Sequence, residues 1–467
     1  MYELTLSLKQ GDKVPLYEQI YGYIREEIRK GRLSSGERLP STRALSAHLD
    51  VSRSTVELAY EQLRSEGYLE ARPCRGYYVS QIEGLYQLHP QKREEKSEES
   101  GAGQEFLYDF TPNGVDLNSF PYNVWRKLSR ECLVEDRAEL FRLGCPQGEP
   151  GLRNAISSYL HQARGVECSP EQVIVGAGND YLMMLLCAVI GTGHKVALEN
   201  PTYQQAYRLF ANLSCEVCTV DMDGSGMCTE KLEESGADIA FVMPSHHYPL
   251  GTVMPIRRRM ELLRWAQKEG RYIIEDDYDS EFRYKGKPIP ALQGYDRNGK
   301  VIYIGTFSKS IAPAIRMSYL VLPEGLYEQY KTRCGFISST VSKVDQMILQ
   351  KFIEDGYYER HLNKMRALYR SRHDTLLAQL KAAGRDFRIS GEHAGVHLLV
   401  HFRDGRGEEE LIRLAAEKGV RVYGLSGYYT EGAQKGDETV ILLGYANMNE
   451  EKIKEAVRLL MEAWQED

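Results

Sequence analysis

The sequence predicts an α/β protein in two parts, on three observations. Residues up to about Ser80 hold short apolar-periodic helices followed by an alternating hairpin pattern. From about Gln81 to Glu105 the chain loses its apolar residues. From Phe106 onward, apolar β-branched runs alternate with helical patterns, and several of those runs end in residues that carry chemistry.

At 467 residues, with 42% hydrophobic and 27% charged residues, the chain has the size and composition of a soluble protein of more than one domain. A formal net charge of -7 excludes a protein that coats nucleic acid non-specifically, and residues 1–80 hold 12 Lys/Arg against 11 Asp/Glu. Any contact with nucleic acid is therefore local. Met1-Tyr2-Glu3-Leu4 has no basic run leading into an apolar one, and the apolar run Tyr181 to Ile190 is too short to span a bilayer. A cytoplasmic location with no membrane partner is expected. The nine cysteines suit reduced thiols. Cys215 and Cys218 have CxxC spacing but no second pair or nearby histidine, so they read as buried thiols on a strand, and no metal is expected.

Leu16, Ile20, Ile24 and Ile28 recur every four residues and give a first helix one apolar face, ended by Gly31 after Arg29 and Lys30. Ser41 caps a second helix, Thr42 to Leu49. After a short Asp50-Val51 link, Ser52 caps a third, with Val56, Ala59, Tyr60 and Leu63 on one face and Gly67 at its close. Tyr68–Arg72 and Gly76–Val79 form a hairpin wing around Pro73-Cys74-Arg75. Two short helices across a tight turn match a helix-turn-helix, whose second helix reads base edges with its first turn: Arg53, Ser54 and Thr55. Arg43, Arg72 and Arg75 are placed to hold phosphates. The bland alternative is a solvated three-helix bundle with ordinary surface charges.

Residues 81–105, including Gln91-Lys92-Arg93-Glu94-Glu95-Lys96-Ser97, cannot bury enough surface to offset their ordering entropy and read as a flexible linker. The predicted domains are therefore 11–80 and 106–467. In the second, Val301-Ile302-Tyr303-Ile304 runs into Gly305-Thr306-Phe307-Ser308-Lys309, and Tyr272-Ile273-Ile274 runs into Glu275-Asp276-Asp277-Tyr278. An amine, a carboxylate, a phenol and an arginine, Arg316, on neighbouring strand ends are what pyridoxal phosphate requires. Lys309 forms the Schiff base, Asp276 keeps the pyridine nitrogen protonated, and Tyr278 reaches the ring oxygen. Thr306, Ser308 and Arg316 take the phosphate, with backbone N–H groups of Gly176-Ala177-Gly178-Asn179 at a helix start. Tyr203 stacks on the ring. Singly each signal is weak, since a Ser-Lys at a strand end is usually surface and an acidic turn is often solvated or metal-binding.

Leu39-Pro40-Ser41-Thr42-Arg43-Ala44-Leu45-Ser46, Val51-Ser52-Arg53-Ser54-Thr55-Val56 and Gly67-Tyr68-Leu69 resemble the winged helix of the GntR superfamily. That resemblance implies DNA binding by Arg43, Arg53, Ser54, Thr55 and the wing at Arg75 and Gly76. Pro146-Gln147-Gly148-Glu149-Pro150-Gly151-Leu152-Arg153, Gly176-Ala177-Gly178, Asn200-Pro201, Asp276, Tyr278, Lys309 and Arg316 are similar to fold-type I aminotransferases. The combined layout resembles the MocR/GabR family of bacterial transcription regulators. This implies a homodimer that binds double-stranded DNA, holds pyridoxal phosphate on Lys309, and senses an amine, an amino acid or the cofactor itself. The alternative is a working aminotransferase with an accessory DNA-binding domain. Two departures bear on the ligand. The usual Asn-Pro-Thr-Gly turn reads Tyr248-Pro249-Leu250-Gly251, leaving His246 or His247 to take the ring-oxygen contact or to be ordinary loop histidines. Ile441-Leu442-Leu443-Gly444-Tyr445 and Gln204-Gln205 lack the arginines that relatives use for carboxylates, which disfavours a 4-aminobutyrate sensor.

Overall fold

Apolar spacing builds the front of the molecule. Ile20, Ile24 and Ile28 line one face of the helix Leu16–Arg29 and share a core with Val56, Ala59, Tyr60 and Leu63 of the helix Arg53–Ser65. Leu16, at the head of the same stripe, is half-buried. Between them runs Thr42–Leu49, capped by the Ser41 hydroxyl, which accepts from the Ala44 N–H. Asp50 turns the chain at φ +50, a conformation that aspartate tolerates better than most side chains. Ser52 then caps the third helix by accepting from the Thr55 N–H. Leu69–Arg72 and Gly76–Val79 pair antiparallel, with Leu69 opposite Val79 and Arg72 opposite Gly76.

The structure is a computed structural model that describes residues 8, 14–73, 75–81, 106–133, 138–213, 215–284, 289–383, 387–430 and 438–464. The expected linker lies outside the described residues except for Gln81, and so do Cys74 and residues 11–13. The chain divides into two compact units, Met1–Gly103 and Gln104–Asp467.

In the second unit an eight-stranded sheet runs in the order Val173–Gly176, Ser318–Val321, Val301–Thr306, Tyr272–Asp277, Ile239–Val242, Lys195–Asn200, Glu216–Asp223, Gly226–Met227. Strands 301–306, 272–277, 239–242, 195–200 and 216–223 are parallel. Ser318–Val321 runs antiparallel to both its neighbours. Both faces are covered, so the strands read as continuous apolar runs rather than alternating ones. Ile174, Ile274, Ile302, Ile304 and Leu320 face one core, and Val173, Val175, Tyr303, Tyr319 and Val321 the other. A second, antiparallel sheet orders Phe387–Ser390, His397–Phe402, Thr439–Gly444 and Tyr423–Gly424, and packs with the helices Tyr357–Ala382 and Glu450–Ala463 around its own core.

Arg316 follows a short 3-10 turn, Pro313–Ile315, and stands at φ +49. One detail departs from the sequence reading. Cys215 precedes the strand that carries Cys218. Both are half-buried, and the Cys215 sulfur lies 4.0 Å from that of Cys187. Among the described residues no His/Cys/Asp/Glu group is arranged to hold a metal ion, and no helix is long and apolar enough to cross a membrane.

Candidate functional site

Parallel strands deliver their C-terminal ends to one edge of the sheet, where open α/β sheets bind ligands. Ile304 lies beside Asp276, Gly305 beside Asp277, Thr306 opposite Ser318, and Ser318 opposite Gly176. This register sets Lys309, Asp276, Tyr278, Thr306, Ser308 and Arg316 around one cleft, with Asn179 and Tyr203 on its wall.

The acidic run Glu275 to Glu281 is largely buried rather than solvated. It is threaded through the interior, and successive side chains turn to different partners. Glu275 accepts from the N–H groups of Leu292 and Gln293, both at 2.8 Å. Asp277 pairs with Arg164 at 2.8 Å and accepts from the Tyr303 hydroxyl at 2.5 Å. Asp279 pairs with His246 at 2.8 Å. Glu281 accepts from the Tyr159 hydroxyl at 3.0 Å. Asp276 is left facing the cleft. Its one side-chain partner among the described residues is the Asn179 amide, at 3.3 Å. Burial, with Asp277 and Asp279 nearby, pushes its carboxyl up to about 7.

Lys309 leaves the loop after its strand, and its ammonium donates to the main-chain oxygen of Asn113 at 2.8 Å and to Oδ1 of the same residue at 3.1 Å. Burial draws its pKa down to about 8 against the opposing pull of Asp279. At the phosphate end, Thr306 Oγ1 accepts from the Ser318 hydroxyl at 2.8 Å and from the Ser308 N–H at 3.1 Å. Arg316 reaches across to the Ala177 carbonyl at 3.3 Å and Asp180 at 3.2 Å. Gly178, at φ +94, caps the helix Asn179–Ile190, and a Cβ there would stand 2.4 Å from the Arg316 guanidinium. The glycine thus keeps open the space between the helix start and the arginine.

His246 does not line the cleft. It sits behind Tyr278, with Nδ1 3.0 Å from the Tyr278 hydroxyl. His247 is buried 3.5 Å from Glu199, and burial lowers its pKa to about 3. The residue of that turn that enters the cleft is Tyr248, whose hydroxyl is 2.6 Å from that of Tyr428 and accepts from the Asn113 amide at 3.1 Å. Asn113, Asp180, Gln205, Met243 and Tyr248 complete the wall. Asn113 stands 196 positions from Lys309, and no motif in the sequence marked it. Arg316 is the arginine among the residues lining the cleft.

In the first unit Arg43, Arg53, Ser54 and Arg75 are exposed, and Thr55 and Gly76 are half-exposed. Ser54 and Thr55 share hydrogen bonds with the Ser52 hydroxyl at 2.8 and 2.7 Å, and Arg53 pairs with Glu57 at 2.8 Å. Arg72 is engaged within the wing, bonded to Glu70 at 2.8 Å and lying 4.3 Å above the Tyr78 ring.

Residues 16–79 match the family of bacterial regulatory proteins called gntR, and residues 113–460 match aminotransferase class I and II. The HTH-type transcriptional regulator YhdI of Bacillus subtilis (strain 168) is 39% identical over 99% of this chain and 98% of its own. The probable rhizopine catabolism regulatory protein MocR of Rhizobium meliloti is 31% identical over 98% and 96%. This chain belongs to the MocR/GabR family. The multiple substrate aminotransferase of Thermococcus profundus, at 25% identity, superimposes with a TM-score of 0.69 over 78% of this chain and 92% of that one. A MocR-type chain is a DNA-binding transcription regulator whose aminotransferase-like part takes pyridoxal phosphate, and this site fits the cofactor. Among the described residues Asp276 is a buried carboxyl without a cation beside it, which a protonated ring nitrogen would supply, and the buried Oδ1 of Asn179 has no protein partner.

Proposed function

We propose that Lys309 carries pyridoxal phosphate in a homodimeric, cytoplasmic regulator that responds to a small amine lacking a carboxylate, or to the cofactor itself. The observation that carries this reading is one cleft holding the Lys309 amine and, at Asp276, a buried carboxyl with no cation beside it among the described residues. Asp276 holds the ring nitrogen, and Tyr278, braced by His246, the ring oxygen. Thr306, Ser308 and Arg316, with the N–H group of Asn179, hold the phosphate, and Tyr203 covers the ring; the expected N–H groups of Ala177 and Gly178 donate instead to Thr340 Oγ1 at 3.0 Å and to the Gly176 carbonyl at 2.8 Å. The bound group supplies an aldehyde that exchanges reversibly between amines. With Arg316 committed to phosphate, the wall left for a ligand holds Tyr203, Gln205, Met243, Tyr248 and Asn113, with Asp180 as a carboxylate and no further basic side chain among the described residues. A carboxylate ligand finds no second guanidinium there, which is the reason for choosing a plain amine.

Arg53, Ser54 and Thr55 read bases, while Arg43, Arg75 and the Gly76 backbone hold phosphates. The test has two arms. Borohydride reduction with excess cofactor followed by peptide mapping should place the label on Lys309. A spectral screen of amines should find the one that also changes retention of the chain's own upstream DNA at fixed salt. Label elsewhere overturns the cofactor assignment, and steady amino-group transfer from an amino-acid donor makes the protein an enzyme.

A further inference from the structure

The segment that first enters the second unit is stitched to its C-terminal part. Leu107 N–H donates to Gly419 O at 3.0 Å, Tyr108–Asp109 pairs in parallel with Val420–Arg421, and Gly444 N–H donates to Phe110 O at 2.8 Å. A Cβ at Gly444 would fall 1.9 Å from the Thr111 carbonyl, so the two backbones are in direct apposition. Asp116 is anchored by Arg372 at 3.1 Å. Between these anchors Asn113 reaches the cleft, takes both hydrogen bonds from Lys309, and passes its own amide to Tyr248.

We infer that Asn113 is a positioning residue that reports the covalent state of Lys309 to the segment through which the DNA-binding head is joined in sequence. The inference rests on the reading that Lys309 carries the cofactor. Condensation of the neutral amine with an aldehyde forms an Nζ=C bond and expels the carbonyl oxygen as water, which takes both amine hydrogens. Neither oxygen of Asn113 then keeps the donor it had, because the imine nitrogen has no N–H to give in its neutral form. An incoming amine that takes the aldehyde returns the lysine's N–H groups, and the contact re-forms. The free lysine therefore holds Asn113 in place, and the occupied lysine releases it. Binding and release of one small aldehyde thus become a mechanical difference in residues 110–116.

The test uses the full chain with and without pyridoxal phosphate, and reads amide hydrogen exchange over residues 110–116 by mass spectrometry. Exchange should quicken several-fold on loading. In Lys309→Ala it should be fast from the start and indifferent to cofactor. Asn113→Ala loses one of the two acceptors that compete with loading, so it should hold the cofactor about threefold more tightly. A merely structural lesion weakens binding, so only the proposed role yields a gain. If the label maps to Lys309 while exchange in this segment stays unchanged, or if Asn113→Ala weakens binding, the inference falls and the cofactor reading stands. If Lys309 takes no label, both fall together.

Discussion

Raising the pH should speed covalent capture of pyridoxal phosphate at Lys309 until about pH 9 and then stop having an effect. The amine attacks only when neutral. With a pKa drawn down to about 8, roughly one-tenth of Lys309 is neutral at pH 7. For an exposed lysine near 10.4 the share is about one in 2,500, so burial raises the reactive fraction about 250-fold. Between pH 7 and 9 the neutral fraction, and with it the initial rate, rises about tenfold before levelling. Stopped-flow absorbance of the adduct over a pH series measures this directly. Asp279 is the charge holding the amine up, so Asp279→Asn should move the midpoint lower. The same shift has a stability sign. The unfolded chain binds the extra proton between about pH 8 and 10.4, so the cofactor-free protein gains stability from this group as pH rises through that window. A rate that still climbs about fivefold between pH 9.5 and 10.5 would refute the argument, because it would show an amine titrating as if in open water.

Three further outcomes follow from the same geometry. Arg164→Ala strips the buried Asp277 of its ion pair and should lower unfolding stability by about 3–5 kcal/mol in urea titrations. Asp276, raised to about 7, favours the folded cofactor-free protein most when protonated, and that advantage is lost as pH climbs through 7. Pyridoxal phosphate should therefore raise the melting temperature more at about pH 8 than at about pH 5.5, and Asp276→Asn should erase the difference. Arg53→Ala should relax base preference while leaving the slope of log affinity against log salt intact, whereas Arg43→Ala should weaken binding to all sequences and reduce that slope by about 1, both read from binding titrations over a salt series.

Much of this molecule was legible because its signals are local. Ser41 and Ser52 announce helix starts through hydroxyls that bond three residues on, and Ile20, Ile24 and Ile28 mark a buried face by spacing alone. Lys309, Asp276 and Tyr278 stood out because each ends or follows an apolar run, and parallel strands place such ends side by side. The histidines of the 246–247 turn were harder to place. Sequence puts them beside the missing asparagine, yet His246 pairs with Asp279 and His247 is buried near Glu199, so both lie in the interior and Tyr248 stands at the cleft. Asn113 and Asp180 carried no pattern, since their part comes from distant segments meeting across the sheet edge.

By itself, then, the sequence determined the two-part architecture, the helix-turn-helix with its wing, and the residue types that a pyridoxal phosphate site demands. These follow from periodicity, caps and strand ends, all set within a few residues. Only the tertiary structure decided where the other carboxylates of the 275–281 run turn, that burial lowers the Lys309 pKa while Asp279 opposes it, and that Asn113 is the group its amine holds. Burial and electrostatics depend on what packs within a few ångströms, and chain folding brings those neighbours from positions that sequence distance does not reveal.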